Sequence, residues 1–209
     1  MSSISIIGSG NMARAIGARA VKGGNDVEVA SRDAAKAETL ARTLGGGATA
    51  GRFGAAPVGD IVILAVLYAG AVPVVAQYGE ALAGKVIVDI TNPFNADATG
   101  LVTPDGTSGA QEIAKAVPAS AHVVKAFNTV FAATMDSGKV KGERLTAFVA
   151  GDDDAAKKTV LDLARGIGFD AVDAGPLTNA RLLEPLGFLN IQLGFVLGLG
   201  SEIGVKLVH

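Results

Sequence analysis

Gly8-Ser9-Gly10-Asn11-Met12-Ala13 has the spacing G-x-G-x-x-A, and each small residue in it has a use if a pyrophosphate is to lie against the main chain. Gly8 can take the backbone angles of a tight turn. Gly10 has no Cβ to hold an anion away, and Ala13 lets a following helix pack closely on a strand. The N–H groups around Ser9, Asn11 and Met12 open that helix without intrahelical partners, at the positive end of its dipole. The chemistry expected here is binding of a dinucleotide's phosphates.

A second cluster, Ser31-Arg32 with Lys36, decides which dinucleotide. A site that prefers NAD places Asp or Glu at the end of the second strand, to accept from the ribose 2′-hydroxyl. This chain offers a hydroxyl, a guanidinium and an ammonium, which suit a dianionic 2′-phosphate. Cations oppose the dipole at a helix start unless an anion lies between them. The expected cofactor is therefore NADP(H).

Three further segments each follow an apolar run: Ala65-Val66-Leu67, Asn92-Pro93 and Phe127-Asn128. The amides of Asn92 and Asn128 could meet a nicotinamide carboxamide or its ribose. The plainer reading is that both asparagines make local loop hydrogen bonds. His122 and Lys125 sit before or inside a strand, so no catalytic role is expected of either. Nothing resembling a catalytic dyad or triad stands elsewhere.

The elements that must position these residues alternate along the chain. Ile4-Ser5-Ile6-Ile7 is a short β-branched run suited to a buried strand, a helix reaches Gly23-Gly24, and Val27 to Ala30 is a second strand. Ala34 to Leu44 reads as a helix and Thr49 to Phe53 as a short strand. Asp60 to Val66 is a continuous apolar strand, Ala69 to Tyr78 a helix with Pro73 near its first turn, and Lys85 to Ile90 another strand. A loop from Thr91 to about Gly106 is long enough for a binding loop. Ser108 caps a helix to Ala116, and His122 to Phe127 is a strand. Strand Leu145 to Ala150, helix Ala155 to Arg165 and strand Asp170 to Asp173 make a last unit. The three aspartates 152–154 lack EF-hand spacing and are read as helix caps. The pattern implies an α/β fold, a doubly wound parallel sheet of Rossmann type with ligands at the strands' carboxyl ends.

The 209 residues are 49% hydrophobic and 18% charged, with net charge −2. That suffices for a packed core and gives no electrostatic footprint for nucleic acid. There is no cysteine and there are two histidines, which argues against disulfides, thiolate chemistry and His-rich metal sites. No metal site is expected. Met1-Ser2-Ser3 leads straight into a strand, so a soluble cytoplasmic protein is expected. Pro185 to Ser201 carries no charge, yet its glycines, Asn190 and Gln192 argue against a bilayer span. Residues 1–177 are read as the dinucleotide domain. Residues 178–209 are read as a C-terminal helical segment packing on the sheet edge and a second subunit, giving a homodimer.

The chain also resembles a known family. Gly8-x-Gly10-Asn11, Ser31-Arg32 with Lys36, Gly151-Asp152-Asp153-Asp154 with Lys157, Asp173-Ala174-Gly175-Pro176-Leu177 with Arg181 and Glu184, and Gly204-x-Lys206-Leu207 are similar to motifs of the NADPH-dependent reductases of coenzyme F420. The resemblance implies hydride exchange between NADP(H) and a deazaflavin (coenzyme F420) or related flavin. It implies an acceptor site near Asn92, Pro93, Phe127, Asn128, Val130 and the Leu207 end. Thr91 to Asn95 and Lys125 to Thr129 look more like bacterial relatives that use a flavin or a ferric chelate, including the oxidoreductase domain of six-transmembrane metalloreductases. The opening Gly-Ser-Gly-Asn-Met-Ala is similar to pyrroline-5-carboxylate reductase as well. From another class, an NADPH-binding sensor without turnover is the rival reading.

Overall fold

The computed structural model describes residues 1–208 apart from 96 and 98. In chain order the elements are β1 (Ser3–Ile7), α1 (Asn11–Lys22), β2 (Asp26–Ser31), α2 (Ala34–Leu44), β3 (Thr49–Arg52), β4 (Ile61–Leu64), α3 (Tyr68–Tyr78) and β5 (Val86–Asp89). After these come α4 (Gly109–Ala114), β6 (His122–Lys125), α5 (Ala132–Met135), β7 (Lys139–Val140), β8 (Glu143–Arg144), β9 (Thr146–Gly151), α6 (Asp154–Gly166), β10 (Asp170–Asp173) and α7 (Ala180–Ile191). The main sheet has the order β10-β9-β6-β5-β4-β1-β2-β3, and β7 pairs β8 in a separate ribbon.

The order reverses direction around β1 and β4, the switch point of a doubly wound sheet. Side-chain alternation assigns the two faces. Ile4, Ile6, Ile61, Ile63, Val88 and Val124 join the core under α1 and α6. Ile7, Val62, Leu64, Ile87 and Val123 join the core under α3 and α4. Asp89 and Lys125 are register partners, and alternation turns both toward the α4 side.

The expectation of a parallel sheet holds for β3, β2, β1, β4, β5 and β6, and fails at β9. That strand runs antiparallel to β6, pairing Lys125 with Ala150, while β10 runs parallel to β9. The physical reason lies between them: the chain returns through short α5 and the β7–β8 ribbon, with no crossover helix long enough to reset β9 to parallel.

Boundaries moved where loops begin. β4 ends at Leu64, so Ala65-Val66-Leu67 leaves the sheet. Pro73 lies more than a turn inside α3, which continues through it to Tyr78. Ser108 caps α4 by accepting from Gln111 N–H, and Asp153 caps α6 by accepting from Ala156 N–H, as the sequence implied. The expected long loop is folded near its tip, where Asn95 Oδ1 accepts from Thr99 and Gly100 N–H. Its residues 96 and 98 lie outside the described ones.

Helix α7 lies over the carboxyl ends of β5 and β6, where Lys125 Nζ donates to Glu184 and Asn128 Nδ2 to Leu183 O. Leu183, Glu184, Gly187 and Asn190 are its buried face, while Leu182 is 68% exposed. A π turn, Gln192–Val196, follows α7. Leu207 N–H finally donates to Thr146 Oγ1 on β9. Among the described residues no helix is long and apolar enough to cross a membrane.

Candidate dinucleotide crevice

Gly8 N–H donates to Ala30 O and Ala65 N–H to Ile7 O, which knits the turn between β2 and β4. Gly8 has φ +132°, and a Cβ there would stand 2.1 Å from Ala65 O, so both strain and space demand glycine. At Gly10 a Cβ would meet nothing within 4 Å, leaving that face open. Gly10 is the N-cap of α1, with no side-chain cap and no acidic residue in the first turn. Its leading N–H groups therefore keep their capacity for an anion. Ala13 is fully buried against the sheet.

Ser9 and Ser31 hydroxyls lie 3.1 Å apart, tying the glycine turn to the end of β2. Beyond them Ser31, Arg32 and Lys36 share the lining of a cleft of about 630 Å³ with Gly8, Ser9 and Asp33. Arg32 makes no ion pair among the described residues and is exposed. Lys36 Nζ lies 3.7 Å from Asp33 Oδ2, with both side chains half exposed or more. Such a pair is worth under about 1 kcal/mol, so the ammonium is free to turn to a better anion. Asp33, which the sequence reading passed over, caps α2 through Lys36 N–H and sets one negative charge beside the two cations.

Ala65-Val66-Leu67 lines this cleft and also a second, apolar chamber of about 460 Å³. Gly10, Asn11, Met12, Asn92, Phe127 and Asn128 line the chamber too. Asn92 Nδ2 donates to Asn128 O at 2.8 Å. Asn128 Nδ2 donates to Asn92 Oδ1 at 2.9 Å and to Leu183 O at 2.8 Å. The two amides thus bind each other and α7 across 36 and 55 residues of chain, rather than making the local loop bonds of the plainer reading. Among the described residues, Asn128 Oδ1 and Thr91 Oγ1 are buried with no partner.

Other predicted positions sit less directly. Phe127 faces the chamber only in part: its ring is buried edge-on to Phe169, with centroids 5.8 Å apart. Its φ of +60° turns the chain into Asn128. Pro93 is buried, and its carbonyl accepts from Val102 N–H; among the described residues it lines neither cleft. Val130 lines the chamber, whereas Leu207 does not.

The sequence alone does not single out Tyr68, Phe94 or Phe131, or, from α7, Gly187, Asn190 and Ile191, all on the chamber wall. One signal was available: a glycine within the charge-free run 185–201. A Cβ on Gly187 would stand 2.7 Å from Asn92 Oδ1. Lys125, for which the sequence implies no catalytic role, is fully buried beneath this floor. Its Nζ donates to Asp89 Oδ2 at 2.8 Å, Thr91 O at 2.6 Å and Glu184 Oε1 at 2.9 Å. Glu184 also accepts from the N–H groups of Gly109 and Ala110, so the extra buried carboxylate is held by backbone donors. The family-like motifs nearby are structural: Lys157 bridges Asp154 and Asp173, and Asp152 Oδ1 accepts from Leu177 N–H.

Fold and glycine turn together define a Rossmann-type α/β domain. Residues 3–93 match the family described as "NADP oxidoreductase coenzyme F420-dependent", the family its motifs resemble. It is 36% identical over 146 residues to F420-dependent NADP reductase of Methanocaldococcus jannaschii, covering 66% of this chain and 64% of that one. It is 31% identical over 186 residues to Metalloreductase STEAP3 of Rattus norvegicus, covering 88% of this chain and 36% of the rat protein. The chain thus spans about a third of one curated relative and under two thirds of the other. A crystal structure described as "a putative f420 dependent nadp-reductase" from Arthrobacter sp. fb24 superposes with TM-score 0.87 at 29% identity, over the whole of both chains.

Proposed function

We propose that this chain is an oxidoreductase that holds NADP(H) along the crevice and passes hydride between it and a deazaflavin (coenzyme F420) or a related flavin in the apolar chamber. The observation that carries the reading is the joining of two clefts through Ala65-Val66-Leu67. One ends in Ser31, Arg32 and Lys36, and the other is walled by aromatic and aliphatic side chains.

The residues fit the cofactor. The uncapped start of α1 and the open face of Gly10 suit a pyrophosphate, and Arg32 with Lys36 suits a 2′-phosphate. Asn128 Oδ1, buried without a partner among the described residues, is an acceptor that a carboxamide N–H would satisfy; left alone it costs about 1–3 kcal/mol. NADP(H), when bound, supplies or receives the hydride. The chain's own work is to orient two flat rings and keep water out. Phe94, Phe131, Ile90 and Ile191 exclude water, and Asn92 and Asn128 hold the floor rigid through their mutual bonds.

The test is loss of NADPH absorbance at 340 nm on adding oxidised deazaflavin, FMN, riboflavin or ferric chelate. Decay with deazaflavin or flavin supports the reading, and NADPH binding without decay for any acceptor refutes it in favour of a sensor. Decay with ferric chelate alone selects the second reading, a flavin or ferric reductase. The metalloreductase likeness, reaching 88% of the chain, favours that alternative. We further propose that the exposed apolar tail, with Leu182 and Leu197 each 68% exposed and Phe195 64%, pairs two copies as a homodimer. Light scattering showing a monomer at micromolar concentration would refute it.

A further inference from the structure

Of the described side chains on the chamber wall, Tyr68 alone can titrate. Its hydroxyl makes no hydrogen bond within the described protein. Tyr68 opens α3 directly after Ala65-Val66-Leu67, where the two clefts join. Its ring is fixed from behind: a Cβ on Gly109 would lie 2.8 Å from Tyr68 Cε2 and 3.1 Å from Cδ2. The glycine that starts α4 is therefore what lets this ring stand at the chamber.

Hydride arriving on a neutral heterocycle brings a negative charge, and the apolar wall offers few groups to meet it. Lys125 cannot, because all three of its ammonium donors are engaged beneath the floor. Thr91 and Thr129 carry alcohols, far weaker acids than a phenol. We propose that Tyr68 donates the hydrogen bond, and then the proton, that neutralises the acceptor as it is reduced; this rests on the oxidoreductase reading above. A C–H bond of the dihydronicotinamide breaks, and its hydrogen and electron pair form a new bond on the acceptor ring. The nicotinamide is thereby oxidised and the acceptor reduced. The Tyr68 O–H breaks, its proton bonds to an acceptor heteroatom, and the phenolate takes a proton back from solvent. In the reverse direction the phenolate accepts that proton.

The surroundings keep the phenol protonated before the step. Burial first, and then the carboxylates of Glu112 on α4, Glu184 on α7 and Asp89 at the end of β5, push Tyr68 above the usual tyrosine pKa. Lys125 is the cation beside the last two.

The protein has two tyrosines and no tryptophan, so the phenols can be watched directly. In Tyr78→Phe, alkaline titration followed at 295 nm reports Tyr68 alone, since Tyr78, at the opposite end of α3 against Phe53, is then absent. Oxidised deazaflavin or flavin, added without NADPH, is expected to displace that titration. In Tyr68→Phe, kcat is expected to fall about a hundredfold and its alkaline limb to disappear, with NADPH affinity unchanged. A Tyr68 titration indifferent to the acceptor, or a Tyr68→Phe kcat within twofold of the wild type, overturns the role of Tyr68. Wild-type protein that binds NADPH and reduces neither deazaflavin nor flavin overturns the oxidoreductase reading itself, and this inference with it.

Discussion

At the phosphate arm the binding groups are backbone N–H donors and exposed cations, carried by the adjoining β1–α1–β2–α2 segments. At the chamber they are ring faces, amides and one phenol, gathered from segments near residues 10, 66, 92, 128 and 190. The first arm has almost no side-chain bonding of its own beyond Ser9 with Ser31 and Asp33 with Lys36. The second stands on a fully buried cluster, Lys125 with Asp89 and Glu184. On the proposed reading, ligand charge would be met by groups that water already screens, and ring orientation by groups locked away from water. Substitutions at the two arms should therefore fail in different ways: affinity on one side, folding and geometry on the other.

The hardest blow to that contrast would come from Glu184→Leu, which leaves Lys125 short of a partner in the interior. Urea unfolding is expected to show a loss of about 3–5 kcal/mol; a loss under about 1 kcal/mol would mean the cluster does not hold the chamber together. Arg32→Asp is expected to leave the unfolding midpoint in place while weakening NADPH by about a hundredfold and NADH by far less, the difference of a charge-assisted contact. Equal losses for both nucleotides, measured by fluorescence titration, would remove the 2′-phosphate assignment. Gly187→Ala pushes a methyl toward Asn92 and Asn128 and is expected to cost about 1–2 kcal/mol. It should raise the acceptor KM and leave NADPH affinity alone, and a change confined to NADPH would erase the division between arms. Smallest of all, Lys36→Ala breaks only an exposed pair with Asp33. Stability should stay within about 0.5 kcal/mol, and NADPH binding should weaken a few-fold, more at low salt than at high.

The same contrast explains what could be read in advance. The phosphate arm is local in sequence, so G-x-G-x-x-A between an apolar run and a helix announced it, down to the need for glycine at position 8. Strands β1, β4, β5 and β6 declared themselves as short runs rich in Ile and Val. The chamber is non-local. Its aromatic residues look like any core residue until the chain is folded, and Lys125 looked like a strand-end charge because its partner Glu184 lies 59 residues away. The reversed β9 was invisible for a related reason: strand direction is set by the connection through α5 and the β7–β8 ribbon, which leaves no mark in β9's own pattern.

The position of α7 has an evolutionary consequence. Gly187, Asn190 and Ile191 shape one wall of the chamber, and none of them lines the cleft that holds Ser31 and Arg32. Drift within this single helix can resize the space for a second molecule while selection on the first is undisturbed, which gives a lineage a short mutational route between electron partners.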